Sequence, residues 1–139
     1  MTVTFFGHKD TPASTEHLLK ATLISLIEND NADTFYVGHN GAFDFMAHRQ
    51  LRELSKKYPI TYTIVLSHLP SDSKNFDDNT LFPEGIELVH PKFSICWRNN
   101  WMITHSDIVV TYVSHNFGGA AKFQKIAEKK QKRIINLNL

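Results

Sequence analysis

The segment 106–121 (SDIVVTYVSHNFGGAA) constrains the fold more than any other part of the chain. It begins with a continuous apolar, β-branched run over 108–113, which is typical of a strand buried on both faces of a sheet. A polar loop and Gly118-Gly119 follow, and a helical pattern begins there. Glycines before a helix N-terminus favour an anion, because the first helical amides and the helix dipole attract negative charge. The segment therefore predicts a buried strand that leads into an anion-binding loop.

Strand-like runs alternate with helical patterns along the whole chain. Strands are predicted over 2–6, 34–37, 61–66, 86–89, 108–113 and 133–137. Helices are predicted after a Thr11-Pro12 cap, over 43–54, over 92–105 and from Gly118, and 71–83 is predicted to be a loop. This alternation predicts an α/β fold, with a Rossmann-like, mostly parallel sheet of five to six strands and helices on both faces.

Length and composition favour an ordinary globular protein. The 139 residues match one domain, 1–139, with 42% hydrophobic and 21% charged residues. A formal net charge of +1 gives no overall field that would attract nucleic acid or a membrane surface. The single cysteine, Cys96, fits a reducing compartment. We therefore expect a cytoplasmic protein whose partners include neither nucleic acid nor membrane.

Three of the predicted strands end in loops that contain glycine. In a parallel sheet, ligands sit outside the carboxyl ends of the strands, near the point where the strand order reverses. The loop residues predicted to contact a ligand there are Gly7, His8, Lys9, Gly38, His39, Asn40, Gly41, His115, Asn116, Phe117, Gly118, Gly119 and Ala120. The alternative is that each glycine serves only as a turn residue.

Several side chains outside the glycine positions fit a phosphorylated nucleotide ligand. Arg98 and Met102 lie at i, i+4 on one helix face, and Arg98 could hold a phosphate through two parallel hydrogen bonds. It could also be a surface arginine paired with a carboxylate. Asp44 lies in the first turn of its helix, where it could complement the helix dipole or hold a ribose hydroxyl. Trp101 or Phe117 could stack on a base.

Histidines and carboxylates offer weaker signals. His8, His39 and His115 each fall in one of the three loops, where they could bind the ligand or remain exposed. Their spacing matches no metal motif, so neither a metal nor a cofactor is expected. Asp77-Asp78 and Glu84 could serve hydrolysis, but a solvated loop explains them equally well.

The order of several motifs resembles a known family. The segments TFFGHKD, FYVGHNGAFDFMA, LFPEGIE, RNNWM, SDIVVTYV and FGGAAKF follow one another as in the SLOG superfamily, specifically its compact YpsA-like branch. The resemblance to the LOG phosphoribohydrolases is more distant. It implies a Rossmann-like sheet and a pocket for nucleotides or nucleotide-derived signals such as ADP-ribose derivatives. The positions that match the family's ligand site are Gly7, Gly38, Gly41, Asp44, Arg98, Gly118 and Gly119.

One departure from the LOG enzymes concerns catalysis. Their glycine motif continues as PGGxGT and then supplies an acidic pair, whereas this chain has Lys122 in place of the threonine and Gln124-Lys125 in place of the acids. An amide cannot act as a general base or stabilise an oxocarbenium ion as a carboxylate does. Lys122 adds a positive charge that suits a phosphate. The replacement therefore favours binding over catalysis.

Together these observations predict a sensor or sequestering protein for a nucleotide-derived small molecule of the ADP-ribose type. One alternative is an N-glycosidic hydrolase of the LOG type, and another is a structural domain that binds a partner and keeps a vestigial pocket. A homo-oligomer is expected, because relatives in the family often pair.

Overall fold

A six-stranded sheet with helices on both faces forms the core of the computed structural model, which describes residues 1–68 and 79–138. The strands are β1 (Thr2–Gly7), β2 (Thr34–Val37), β3 (Thr61–Val65), β4 (Thr80–Leu81), β5 (Ile108–Tyr112) and β6 (Arg133–Asn136). The helices are α1 (Thr15–Asn29), α2 (Ala42–Ser55), α3 (Ser94–Thr104) and α4 (Gly119–Lys129). Two short 3-10 helices, Ile86–Leu88 and Pro91–Phe93, precede α3.

The strand order places β1 at the centre of a parallel sheet. The order is β4-β3-β2-β1-β5-β6, and all neighbouring strands pair in parallel. The chain adds β2 and β3 on one side of β1 and then crosses to β5 on the other, so the order reverses between β1 and β5. Gly7 pairs with Tyr112 at the carboxyl end of that junction. The predicted Rossmann-like fold is confirmed, and its switch point lies between β1 and β5.

Alternating side chains of the central strands serve two separate cores. Val3 and Phe5 of β1 pack in the core that includes Leu19 of α1 and Leu51 of α2. Phe6 points to the opposite face and joins the core that α3 and α4 cover. Since successive residues of a strand face opposite sides, a strand buried on both faces must be mostly apolar. This requirement explains the continuous apolar runs in the sequence.

The segment that precedes α3 differs from its prediction. Residues 86–89 were expected to form a strand, but Ile86–Leu88 form a 3-10 turn that follows Gly85 at φ +98°. The short strand lies earlier, at Thr80–Leu81, where Val65 pairs with Leu81. A four-residue segment with three apolar residues does not distinguish a strand from a buried turn. Asp77 and Asp78 lie outside the described residues.

Helix α1 begins later than the sequence suggests. Thr11 does not cap the helix, because its hydroxyl donates to the carbonyl of His8 at 2.6 Å. The carbonyl of Pro12 accepts from the amide of Thr15, where the helix begins. The turn at 8–12 therefore belongs to the loop after β1.

None of the helices in the described part of the chain has the length and apolar character to span a bilayer.

Candidate functional site

A cavity of about 360 Å³ opens at the carboxyl edge of the sheet, beside the switch point between β1 and β5. Its volume falls within the usual range of pockets that bind small molecules. The predicted residues that line it come from all three glycine loops and from α2, α3 and α4: Gly7, His8, Lys9, Asn40, Asp44, Arg98, Met102, His115, Gly118, Gly119 and Ala120. The topology therefore brings the three loops to one rim.

The other predicted residues lie around the cavity without lining it. Gly38 lies directly behind it, since a Cβ there would come within 2.9 Å of the Asp44 carboxylate. Gly41 has φ +93° and packs against the backbone of Lys9, so it supports the rim. Trp101 points elsewhere: its ring meets Tyr36 and stacks on His105. Trp101 therefore does not reach a ligand in the cavity.

Arg98 is almost fully buried, with 2% of its surface exposed. Its Nε donates to Asn99 Oδ1 at 2.8 Å, its Nη1 to the carbonyl of Val65 at 3.0 Å, and its Nη2 to Asn40 Oδ1 at 2.9 Å. These acceptors belong to α3, the end of β3 and the loop after β2. Arg98 thus ties three elements together, and it also lines the cavity, where its two-pronged phosphate contact stays a prediction.

Asp44 lies on the first turn of α2, beneath the same loop. Its Oδ2 accepts the backbone N–H of Asn40 at 2.9 Å, which fixes the loop that presents Asn40 to Arg98. Burial raises the pKa of Asp44 to about 6, although the Asn40 amide and the Arg98 charge act in the opposite direction. Burial also lowers the pKa of Arg98. The carboxylate therefore supports the rim from within.

Three rings stack along the rim between the loops after β1 and β5. The His8 and His115 ring centroids are 3.7 Å apart with planes inclined by 13°, and the His115 and Phe117 centroids are 3.9 Å apart at 21°. The Ser114 amide donates to Nε2 of His8 at 3.0 Å, so this nitrogen carries no proton. Burial first, and the neighbouring His115 second, lower the pKa of His8. The stack joins the two loops across the switch point.

The third predicted histidine lies apart from this pair. The ring of His39 is tilted against that of His68, with 5.6 Å between centroids. Burial, followed by the charges of Arg98 and His68, lowers the pKa of His39 to about 4. Within residues 1–68 and 79–138, no three His, Cys, Asp or Glu side chains are grouped as a metal site would require.

The N-terminus of α4 faces the cavity with little side-chain cover. Gly118 has φ +90°, which turns the chain into the helix, and a Cβ on Gly119 would meet no atom within 4 Å. The first amides of an α-helix have no intrahelical acceptor, and the described first turn of α4 holds no acidic side chain. This end of the helix is therefore open to an anion, as the sequence indicates.

A groove on the outer side of Gly118 holds the remaining predicted residues. Asn116, Phe117 and Lys122 line it, together with Lys125 and Lys129 of α4. Gly118 lines both the cavity and this groove, so the two adjoin at this residue. Sequence analysis assigned Lys122 to a phosphate but missed Lys125 and Lys129, because it did not consider that the three lysines share one helix face.

Sequence analysis also missed Asn99. It is buried beside Arg98 and accepts the Nε hydrogen of that side chain. The available signal was its position in the motif RNNWM, where it directly follows the arginine in a helix that also carries Ile, Cys, Trp and Met. Polar side chains inside a packed face need partners, so such a pair indicates a hydrogen-bonded network.

Comparison with known proteins identifies structural neighbours only. No protein-family model matches the chain, and no curated protein matches it significantly. The DNA processing protein A (DprA) of Streptococcus pneumoniae has a similar structure, with a TM-score of 0.72 and 14% identity. DprA of Helicobacter pylori has a TM-score of 0.67 and 17% identity, and its structure is described as giving insights into a unique single-stranded DNA binding mode.

These neighbours place the fold among known ones. Each match covers 96% of this chain but only 48% of the S. pneumoniae protein and 63% of the H. pylori protein. The chain therefore spans about half of the S. pneumoniae protein and less than two thirds of the H. pylori protein. At 14% and 17% identity the likeness concerns the fold alone, which is Rossmann-like.

The neighbours also correct two expectations. A nucleotide-derived small molecule as the ligand, with no nucleic acid among the partners, is contradicted because both neighbours are DNA-processing proteins and one is described by its single-stranded DNA binding. The prediction was wrong because a net charge of +1 averages over the chain. It hides the local concentration of lysine on α4, and local potential governs contact with a polyanion.

Proposed function

We propose that this chain binds single-stranded nucleic acid at the carboxyl edge of its sheet. The observation that carries the proposal is the open N-terminus of α4, where Gly119 leaves the first helical amides accessible beside the cavity. A backbone phosphate is the group that fits such a helix end. The structural likeness to DprA, including the protein described by its single-stranded DNA binding, supports a nucleic acid as the source of that phosphate.

The surroundings of the helix end favour a single strand over a duplex. Proteins that bind single strands combine cationic side chains for the backbone with aromatic rings on which bases stack. Both kinds lie beside Gly119 here, as Lys122 on the next turn of α4 and Phe117 at the end of the ring stack. The bases of a duplex already stack on one another, so they offer no free face on which an aromatic side chain could stack.

A charge introduced at Gly119 tests the proposal. Glu fits sterically, because a side chain there meets no neighbour, and an acid in the first turn of a helix favours folding. Gly119→Glu should weaken binding of a fluorescein-labelled oligo-dT of about 12 nucleotides by about tenfold or more, because a carboxylate then occupies the phosphate position. Gly119→Gln is the matched control and should retain most of the affinity.

Fluorescence anisotropy at low ionic strength measures both variants against the unaltered chain. Thermal unfolding confirms that both remain folded. The proposal fails if the unaltered chain does not bind the oligonucleotide, or if the Glu and Gln variants bind it equally well.

Three finer expectations stand as proposals beside this one. We infer that the chain belongs to the compact YpsA-like branch, which the ordered motifs from TFFGHKD to FGGAAKF support. We also retain a single unit over 1–139 and a homo-oligomer, which sedimentation analysis would test.

A further inference from the structure

The groove beside α4 is lined by three lysines on one helix face. Lys122, Lys125 and Lys129 lie at spacings of three and four residues, which places them side by side. Seven residues of α-helix rise about 10 Å, compared with about 3.4 Å of axial rise per nucleotide in one strand of B-DNA. The lysine row is therefore longer than a single nucleotide needs.

The charge of this row is not compensated within the fold. Across residues 1–68 and 79–138, no carboxylate forms an ion pair with Lys122, Lys125 or Lys129. The nearby acid, Glu128, accepts from Gln124 on an adjacent face of α4. Among the described residues, the ammonium group of Lys122 contacts the sulfur of Cys96, at 3.8 Å, and the ring of Phe123. Three neighbouring ammonium groups without counter-charges form an electrostatic footprint for a polyanion.

Phe117 stands where the groove meets the cavity. One face of its ring stacks on His115, yet 68% of the residue remains exposed. A large exposed aromatic held by an underlying ring offers a flat and rigid surface at small entropic cost. Base–aromatic stacking of this kind is the usual sequence-independent contact to a single strand.

From this geometry we infer that a single strand bound in the cavity continues past Gly118 into the groove. Its backbone phosphates then lie against Lys122, Lys125 and Lys129, and one base stacks on Phe117. This inference rests on the proposed function and deepens it, because it makes the substrate a chain of several nucleotides rather than one terminal phosphate. Gly118 is the point at which the two parts of the site join.

Replacing the lysine row tests the inference. The variant Lys122→Gln/Lys125→Gln/Lys129→Gln removes the row. The control variant Lys20→Gln/Lys56→Gln/Lys57→Gln removes the same charge from exposed positions, since Lys20 lies on α1 and the other two follow α2. Binding of an oligo-dT of about 12 nucleotides should fall about tenfold in the first variant. Its slope of log K against log salt should fall by about 2, at roughly 0.7 per lost phosphate contact.

The same comparison with a 5′-phosphorylated dT dinucleotide separates the two proposals. The dinucleotide should bind the groove variant and the control variant equally, since it occupies the cavity alone. If the unaltered chain binds neither probe, the proposed function itself fails. If it binds both probes but the two lysine variants share one salt slope, only the extension into the groove is overturned.

A separate set of variants tests the ring. Phe117→Leu keeps an apolar side chain but removes the stacking surface, and it should weaken binding of the longer oligonucleotide about tenfold. Phe117→Trp keeps an aromatic face and should bind like the unaltered chain. Equal affinities for the Leu and Trp variants would remove Phe117 from the site.

Discussion

Phe43 fills the space that a side chain on Gly7 would need. The ring of this α2 residue is buried against the carboxyl end of β1, and a Cβ on Gly7 would overlap it. The absence of a side chain at Gly7 thus lets α2 approach the sheet directly behind the cavity. The glycine that sequence analysis assigned to a ligand has a clear packing role.

Gly7→Ala should therefore destabilise the fold by about 2 kcal/mol, the usual cost of overpacking a core. Urea unfolding gives the value. Gly119→Ala is the control: a methyl group meets no neighbour there, so its free energy of unfolding should not fall. In the double variant Gly7→Ala/Phe43→Ala, the cost should be less than the sum of the single costs, because the two positions compete for one volume. Strict additivity would contradict this explanation.

Arg98 should contribute to stability more than surface arginines do. Arg98→Met leaves the Val65 carbonyl and the oxygens of Asn40 and Asn99 without their donor, and we expect a loss of about 3 kcal/mol in the free energy of unfolding. Arg49→Met removes an arginine whose side chain is 58% exposed and paired with Glu16, and it should cost less than about 1 kcal/mol. Similar losses for both variants would show that the buried network is not important for stability.

Two buried groups should give the fold opposing dependences on pH. The pKa of Asp44 is raised from 3.8 to about 6, so the folded chain binds more protons there than the unfolded chain between these values, and stability falls as pH rises. The pKa of His39 is lowered from 6.5 to about 4, so the unfolded chain binds more protons and stability rises with pH. Each effect amounts to about 3 kcal/mol, and together they nearly cancel.

Single substitutions should expose each dependence. Between about pH 4 and pH 6, Asp44→Asn should make the unfolding free energy rise with pH, and His39→Gln should make it fall. Urea unfolding at several pH values within this window measures both slopes. Slopes that match those of the unaltered chain would show that neither group titrates with a shifted pKa.

Periodicity was sufficient to predict the sheet and its helices because it reports which faces are buried. The run over Ile108 to Tyr112 is buried at its first four positions and begins with three β-branched apolar residues, and this pattern is typical of a central parallel strand. The glycine loops could be placed at one edge of the sheet because the carboxyl ends of parallel strands coincide. These predictions depend on local pattern together with chain topology, and both are visible in the sequence.

The partners of individual side chains could not be predicted in this way. Arg98 reaches Val65 and Asn40, which lie 33 and 58 residues away along the chain, and no local pattern encodes such contacts. Trp101 lies only three residues after Arg98, yet it packs on Tyr36 outside the cavity. The lysine row of α4 was visible in the sequence, but its meaning depends on the position of Gly118 beside the cavity.

The two edges of the described sheet are unequal. At one edge, β4 is two residues long and offers few backbone groups to a further strand. At the other edge, β6 has four residues. The Asn136 side chain extends the pairing of this strand, because its Oδ1 accepts from the Val113 amide at 3.1 Å and its Nδ2 donates to the Val113 carbonyl at 3.1 Å. Exposed strand edges are templates for association between chains, and short ones are poor templates. If copies of this chain associate by backbone pairing between strands, the geometry directs them to β6, the edge strand beyond β5.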